Sequence, residues 1–201
     1  MKREPGEWTP SDIQAVLTQS PWARRVNPEL SVTWLRSKEK GGARGPAGSD
    51  GLRDTRSLTE FSVLVRWESA LPVRLARNGP SASKSNPPDY VLSLTRIPAE
   101  FIEAGLGAAQ NHDEISSQEW IAAEMKRTSM LQLEGKAPIA AVRAAWTRSD
   151  FEPSLMLTFP RSGRPIDVQD TAVTLESEAG PLALKVSFPL GRMVYRGKLE
   201  L

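Results

Sequence analysis

The chain contains no cysteine and a single histidine, His112. The absence of cysteine excludes disulfides, thiolate nucleophiles, zinc–thiolate sites and iron–sulfur clusters. It leaves the redox compartment open, because a chain without thiols tolerates oxidising and reducing surroundings alike. We therefore expect a protein with no disulfide, no metal site and no bound cofactor.

The sequence also lacks any long apolar run. No segment approaches the roughly 20 apolar residues that a transmembrane helix needs. Residues 1–10 contain no apolar stretch of the kind found in secretory signal peptides. As it stands the chain predicts a soluble cytoplasmic protein, and export or envelope association would require that its start has been trimmed. The compartment is left open by the sequence.

The chain also has no large excess of positive or negative charge. The 26 basic side chains are nearly balanced by 24 acidic ones, for a net charge of +2. Nucleic-acid-binding proteins usually concentrate basic residues on one face or stripe. Here they are scattered in pairs, namely Arg24–Arg25, Arg74–Arg77, Arg161–Arg164 and Arg192–Arg196. We expect no nucleic-acid partner, and weak association with nucleic acid stays as the third functional hypothesis.

Length and composition predict one globular domain. A chain of 201 residues with 39% hydrophobic and 25% charged residues is typical of a globular protein with a sizeable core. The six tryptophans supply aromatic bulk for that core. We therefore expect a single α+β domain that covers residues 1–201.

Residues 155–201 predict a run of half-buried β-strands. Apolar side chains recur at every second position, and polar ones fill many of the positions between them. The apolar positions are Leu155, Leu157, Phe159, Val173, Leu175, Leu182, Leu184, Val186, Phe188, Met193, Tyr195, Leu199 and Leu201. Successive strand side chains point to opposite faces, so one face is expected on a core and the other in water. Further strands are predicted at 30–35, 61–67, 90–94 and 130–133.

Four segments carry the signals of short helices. The first is opened by Thr9 as N-cap, Pro10 at N1 and Asp12 at N3. The others are expected from Ser69 to Gly79, from Pro98 to Gly105, and from the capping box Ser116–Glu119 onward.

The secondary structure of two segments cannot be assigned to a single helix or strand from the sequence. Residues 37–56 are rich in glycine, and four glycines spaced by three resemble collagen triplets, which are too few to hold a triple helix. We predict a flexible loop there. Residues 137–147 fit either a helix or an extended segment, and the pattern does not choose between them.

Catalytic residues are sparsely signalled. His112 precedes two acidic residues, but side chains at adjacent positions do not converge on one point in a helix or a strand. Acidic pairs occur at Asp167 with Asp170 and at Glu100 with Glu103. No Gly-x-Ser-x-Gly nucleophile elbow is present. A hydrolase that uses Asp or Glu and His112 is therefore the alternative hypothesis rather than the leading one.

One regular row of cations stands out near the C-terminus. Arg192, Arg196 and Lys198 lie on the polar parity of the last predicted strand, with Tyr195 on the opposite parity. Such a row is able to meet an acidic partner, although lysine and arginine on an edge strand commonly prevent edge-to-edge pairing. These three residues are the candidate partner-binding site, and no catalytic, cofactor-binding or metal-binding residue is assigned.

Two stretches are similar to a group of uncharacterised bacterial proteins, many of them exported or lipid-anchored. The stretches are Trp8-Thr9-Pro10-Ser11-Asp12-Ile13, which leads to Ser20-Pro21-Trp22-Ala23, and the ending that runs from Phe188 to Leu201. The resemblance covers the two ends of the chain, and its motifs are structural. It implies no known activity and no catalytic residue.

These observations favour an α+β fold with a mainly antiparallel sheet or sandwich of seven or eight strands and three or four short helices. The leading functional hypothesis is a non-catalytic binding or structural module, associated with the cell envelope if the start has been trimmed. Its partner is expected to be a protein or a small ligand.

Overall fold

The computed structural model describes residues 5–31, 62–84, 87–97, 116–147, 153–163, 165–180 and 182–201. Within these residues the α-helices are α1 (Pro10–Thr18), α2 (Leu71–Asn78) and α3 (Ser117–Thr128). Short 3₁₀ helices span Pro5–Glu7, Pro80–Lys84 and Leu190–Arg192. None of the described helices is long and apolar enough to cross a membrane.

Twelve strands make up the rest of the regular structure in the described chain. They are β1 (Ala23–Val26), β2 (Glu29–Leu30), β3 (Val63–Trp67), β4 (Asp89–Thr95), β5 (Met130–Leu133), β6 (Ile139–Ala140), β7 (Arg143–Thr147), β8 (Ser154–Pro160), β9 (Ala172–Ala179), β10 (Leu182–Pro189), β11 (Val194–Tyr195) and β12 (Lys198–Leu199). Four of the twelve have only two residues and eight have four or more, against the seven or eight strands expected; β1 lies where no strand is predicted.

The strands form two five-stranded antiparallel sheets and one small hairpin. The first sheet has the order β1-β3-β4-β8-β7, and the second has the order β2-β10-β9-β5-β6. Strands β11 and β12 pair with each other. The predicted α+β class with mainly antiparallel sheets is therefore confirmed.

The inner faces of the two sheets build the core. Trp67 on β3 packs edge-on against Phe188 on β10, with ring centroids 5.5 Å apart, and against Tyr90 on β4 at 6.0 Å. All three side chains are buried, within one cluster that includes apolar residues of both sheets. Such T-shaped pairs add to the gain from burying the rings themselves. The alternation of the C-terminal strands predicts this face correctly, from Leu155 on β8 to Phe188.

Strand β3 is buried on both of its faces. Val63, Val65 and Trp67 point into the core, and Leu64 and Arg66 on the opposite face are also buried. Helix α1, which precedes β1 in the chain, contacts β1 and β3. It also packs against α2. The buried outer face of β3 is the part of the fold that positions the candidate site.

Helix α1 begins as the sequence predicts. The Thr9 hydroxyl accepts a hydrogen bond from the Asp12 backbone N–H at 3.2 Å, and the Asp12 carboxylate accepts one from the Thr9 N–H at 2.9 Å. Pro10 occupies the first turn, where its missing N–H costs nothing. The reciprocal cap fixes the entry to the helix, because both donors would otherwise lack a partner.

Helix α2 corrects one prediction. Its N-cap is Ala70 rather than Ser69, and no side chain caps it. The Ser69 hydroxyl instead accepts a hydrogen bond from the Val91 N–H at 3.0 Å, which ties the loop to β4. The helix ends at Gly79, whose φ of 70° is readily adopted by glycine.

Helix α3 has the predicted capping box and packs against both sheets. The Ser116 hydroxyl accepts from the Glu119 N–H at 3.3 Å, and the Glu119 carboxylate accepts from the Ser116 N–H at 3.1 Å. The helix contacts β7 of the first sheet and β9 of the second. At the end of this helix, the buried hydroxyl of Ser129 lies 2.6 Å from that of Ser177 on β9, and the two form a hydrogen bond.

Several sequence predictions fall outside the described residues or are settled by the fold. The glycine-rich segment 37–56, the Pro98–Gly105 helix and most of the strand expected at 30–35 lie outside the described residues. The ambiguous segment 137–147 is extended within its described strands, β6 and β7, and is not helical.

Candidate anion-binding groove

The outer face of the first sheet presents two rows of side chains in register, most of them polar. Leu64 on β3, Thr95 on β4 and Ser154 on β8 lie directly opposite one another. Arg66 and Ser93 form the adjacent row of the same face. Since directly opposed residues of antiparallel strands share a face, both rows line the same side of the sheet.

A buried carboxylate organises the first part of this face. Glu68 accepts a hydrogen bond from Arg66 Nε at 2.7 Å and one from the Ser93 hydroxyl at 2.5 Å, both on Oε1. Arg77 of α2 places its Nε 3.3 Å from the other carboxylate oxygen. The side chains of Arg66 and Glu68 are only 7% and 8% exposed. The negative charge of Glu68 is therefore compensated where water cannot reach it.

Arg66 also links the sheet to α1. Its Nη1 donates to the Leu17 backbone carbonyl at 3.1 Å, close to the end of the helix, where carbonyls lack helical partners. The guanidinium is thus held by contacts with a carboxylate and a carbonyl. This fixes Arg66 in place beside the groove described next.

A groove of about 500 Å³ opens beside these residues, between α1, the end of α2 and the sheet. We call it the arginine groove. Its polar walls include Gln14, Arg66, Arg77, Thr95, Arg96 and Ser154. The described residues that line it include three guanidinium groups and no carboxylate, so the groove offers positive charge and neutral hydrogen-bonding groups.

Among the described residues of the groove, the Thr95 hydroxyl has incomplete hydrogen bonding. The residue is 4% exposed, and its Oγ1 is buried without a hydrogen-bond partner in the described part of the chain. The neighbouring Ser154 hydroxyl, by contrast, lies 2.7 Å from the Thr147 hydroxyl. Leaving a buried hydroxyl unpaired costs about 1–3 kcal/mol, so an anion in the groove that reached Thr95 Oγ1 would recover that cost.

The charge of Arg77 is only partly compensated. Burial lowers the pKa of its guanidinium, the positive charge of Arg66 lowers it further, and Glu68 acts in the opposite direction. Arginine nevertheless stays protonated in proteins, so the consequence is a charged group that has lost part of its hydration. No described contact uses its terminal NH₂ groups, and an anion in the groove would replace the lost water.

The structure separates the three predicted partner-binding residues. Arg192 ends the 3₁₀ helix Leu190–Arg192, Arg196 lies in the turn between β11 and β12, and Lys198 lies on β12. All three are exposed. The expected single row along one strand is wrong, because Arg196 and Gly197 adopt φ of 51° and 77° and reverse the chain.

Tyr195 also lies differently from the prediction. It is the direct partner of Lys198 across the hairpin and so shares a face with it. Lys198 lines a separate groove of about 350 Å³, where the Arg161 guanidinium lies 4.5 Å from the Tyr90 ring centroid. The partner-binding role of the three cations stays a prediction.

The residues of the hydrolase hypothesis do not form a site in the described structure. His112, Glu100 and Glu103 lie outside the described residues. Asp170 holds a turn and an ion pair, since its carboxylate accepts from the Asp167 N–H at 2.8 Å and from Lys136 Nζ at 2.8 Å. Among the described residues, no group of three or more His, Cys, Asp or Glu side chains could hold a metal ion.

Comparison with known proteins finds no family model, no curated relative and no solved structure that matches the chain. The candidate site therefore rests on its own geometry. Sequence reasoning missed it because Arg77 was placed among the scattered surface charges and Arg66 was assigned only to the predicted strand at 61–67. The available signal was local: Arg66 and Glu68 are two apart at the end of a strand with apolar neighbours, a spacing that puts them on the same face.

Proposed function

We propose that this protein is a binding module that holds a small anionic ligand, a carboxylate or a phosphate, in the arginine groove. The observation that carries the proposal is the unpaired Thr95 hydroxyl, buried in a groove that three arginines line. An anion with several acceptor oxygens would take a hydrogen bond from this hydroxyl and from the guanidinium groups together.

The arrangement of the existing contacts supports the same ligand class. Glu68 contacts one edge of the guanidinium group of Arg66 and one edge of that of Arg77, and so fixes the orientation of both groups. A guanidinium has five donors in a fixed fork. Nη1 of Arg66 already donates to the Leu17 carbonyl, so the edge of Arg77 that is turned away from Glu68 remains for a planar or tetrahedral anion. Groups held in advance lose little conformational freedom on binding, which favours affinity.

The lining also bears on the kind of activity. The described residues of the groove supply donors and positive charge but no histidine and no carboxylate. General acid–base chemistry needs a group that titrates near the working pH, and arginine does not. Binding is the activity that these side chains support best.

The test is a titration of the full chain with inorganic phosphate and with succinate, followed by calorimetry at low ionic strength. We expect saturable binding of at least one of them, and a loss of tenfold or more in affinity for Arg77→Gln, since a hydrogen bond between charged groups contributes roughly 1.5–3 kcal/mol. Arg143→Gln, which removes an exposed arginine of β7, is the matched control and should bind as the wild type does.

Thr95→Val provides a second variant in case Arg77→Gln disturbs the contact with Glu68. It keeps the shape of the side chain and removes only the hydroxyl. We expect it to fold and to bind the anion at least several-fold more weakly. Binding of neither probe, or equal affinities for the wild type and both variants, would overturn the proposal.

A further inference from the structure

A second basic groove adjoins the arginine groove. It has a volume of about 430 Å³, and its charged walls are Arg24, Arg25 and Arg192. We call it the Arg192 groove. Thr18, the last residue of α1, lines both grooves. The two concave surfaces therefore meet at the end of α1.

The fold brings these three arginines together from distant parts of the chain. Arg24 and Arg25 lie on β1, which is the edge strand of the first sheet. Arg192 ends the 3₁₀ helix that follows β10, and β1 contacts β10 where the two sheets meet. A cluster that joins residues 24, 25 and 192 is invisible in a charge plot of the sequence.

None of the three guanidinium groups is compensated in the described part of the chain. No side-chain hydrogen bond or ion pair there involves Arg24, Arg25 or Arg192, whereas the side chains of Arg66 and Arg77 share Glu68. Like charges around one groove raise its positive potential and attract anions. In the described part of the chain, the positive charge of the Arg192 groove is therefore less compensated by carboxylates than the charge of the arginine groove.

The register places part of this charge on the face that carries the arginine groove. Arg25 lies directly opposite Leu64, and Leu64 is a wall of the arginine groove. Directly opposed residues of antiparallel strands share a face. Arg25 therefore continues the positive charge of the arginine groove along the outer side of the first sheet, whereas Arg24, the direct partner of the core residue Val65, lies on the opposite face of β1.

From this continuity we infer that the ligand is an extended polyanion with at least two anionic groups, one in the arginine groove and the second in the Arg192 groove. The inference rests on the proposed function and narrows its ligand class. The repeated anionic group is the recognised chemistry, and both phosphates and carboxylates supply it. A single anion would leave the Arg24, Arg25 and Arg192 cluster uncompensated.

The experiment compares short and extended probes by calorimetry on the full chain. The pairs are inorganic phosphate against tripolyphosphate, and succinate against the peptide triglutamate. We expect at least one extended probe to bind ten times more tightly than its short counterpart. The pair with the larger gain tells whether the anionic groups are phosphates or carboxylates.

A triple variant tests the location of the second subsite. Arg24→Gln, Arg25→Gln and Arg192→Gln together should weaken the extended probe tenfold or more and leave the short probe within twofold of the wild type. The charge-matched control replaces Lys126, Arg127 and Arg143 by Gln, since these exposed cations lie away from both grooves. Retained binding of the short probe shows that the triple variant is folded.

Two outcomes overturn this inference while the proposed function stands. One is equal affinity for short and extended probes, and the other is a loss in the triple variant no larger than the loss in the control. If the short probes do not bind the wild type, or if neither Arg77→Gln nor Thr95→Val weakens their binding, the proposed function fails and this inference fails with it.

Discussion

The indole nitrogen of Trp22 donates a hydrogen bond to the backbone carbonyl of Glu200, 2.7 Å away and 178 residues further along the chain. Trp22 is 5% exposed and follows α1 directly. One buried side chain therefore joins the N-terminal helix to the β11–β12 hairpin region. The sequence motifs at the two ends of the chain meet at this contact.

Replacing Trp22 by Phe should destabilise the protein by about 2–3 kcal/mol. The change removes the donor, leaves a shielded carbonyl without its partner, and empties part of the indole volume. The free energy of unfolding in urea measures the effect. The same replacement at the half-buried Trp146, whose indole nitrogen donates to the Gln118 carbonyl, should cost clearly less. Equal losses at the two sites would contradict the assigned role of Trp22.

Thr95→Val should stabilise the protein by about 1 kcal/mol in a buffer without phosphate or carboxylate. The substitution removes a buried hydroxyl that has no partner, keeps the volume, and suits a β-strand. Urea denaturation is the measurement. Thr147→Val, on the same face of the sheet, should instead destabilise, because it leaves the Ser154 hydroxyl unpaired. A loss of stability for Thr95→Val would show that its hydroxyl is satisfied in solution.

Glu68→Gln should cost about 3–5 kcal/mol. Removing one partner of a buried ion pair leaves the other charge buried and uncompensated, here that of Arg66, whose side chain is 7% exposed; Arg77, whose side chain is 43% exposed, adds less. The matched control is Glu176→Gln, which removes a carboxylate that is 40% exposed and paired with Lys185. An exposed pair of that kind contributes at most about 1 kcal/mol. Comparable costs for the two variants, by urea denaturation, would refute the buried character of the Glu68 cluster.

The helix starts could be predicted from the sequence because their determinants are local. The Thr9–Asp12 and Ser116–Glu119 caps each join residues three apart, and that spacing alone brings the groups into hydrogen-bond range. The strand faces could be predicted for the same reason, since a period of two encodes which side chains are buried. Ser69 was misassigned because its hydroxyl bonds to a neighbouring strand rather than to the helix.

The candidate site could not be predicted, because its residues come together only through the sheet order. Arg66, Arg77 and Thr95 lie on β3, α2 and β4, and their meeting depends on the β3–β4 register and on where α2 packs. The Arg196–Gly197 turn also could not be predicted from the sequence pattern, although its residues are neighbours in the chain. Its positive φ values interrupt a pattern that otherwise continues as one strand, so the expected row of cations does not form.

Acid titration should reveal the ion pair between Asp170 and Lys136. The hydrogen bond from Lys136 and a second one from the Asp167 N–H lower the pKa of Asp170 below its ordinary value of 3.8. A carboxyl whose pKa is lower in the folded state adds stability above the unfolded pKa, and that contribution is lost as the pH falls through the folded value. Asp170→Asn should therefore be less stable than the wild type near neutral pH, and the difference should shrink below about pH 4. Glu134→Gln, in the exposed turn after β5, is the control for the removal of one surface carboxylate. Parallel stability curves for Asp170→Asn and the wild type down to pH 2 would contradict the assigned ion pair, because the difference would then not arise from the ionised carboxylate.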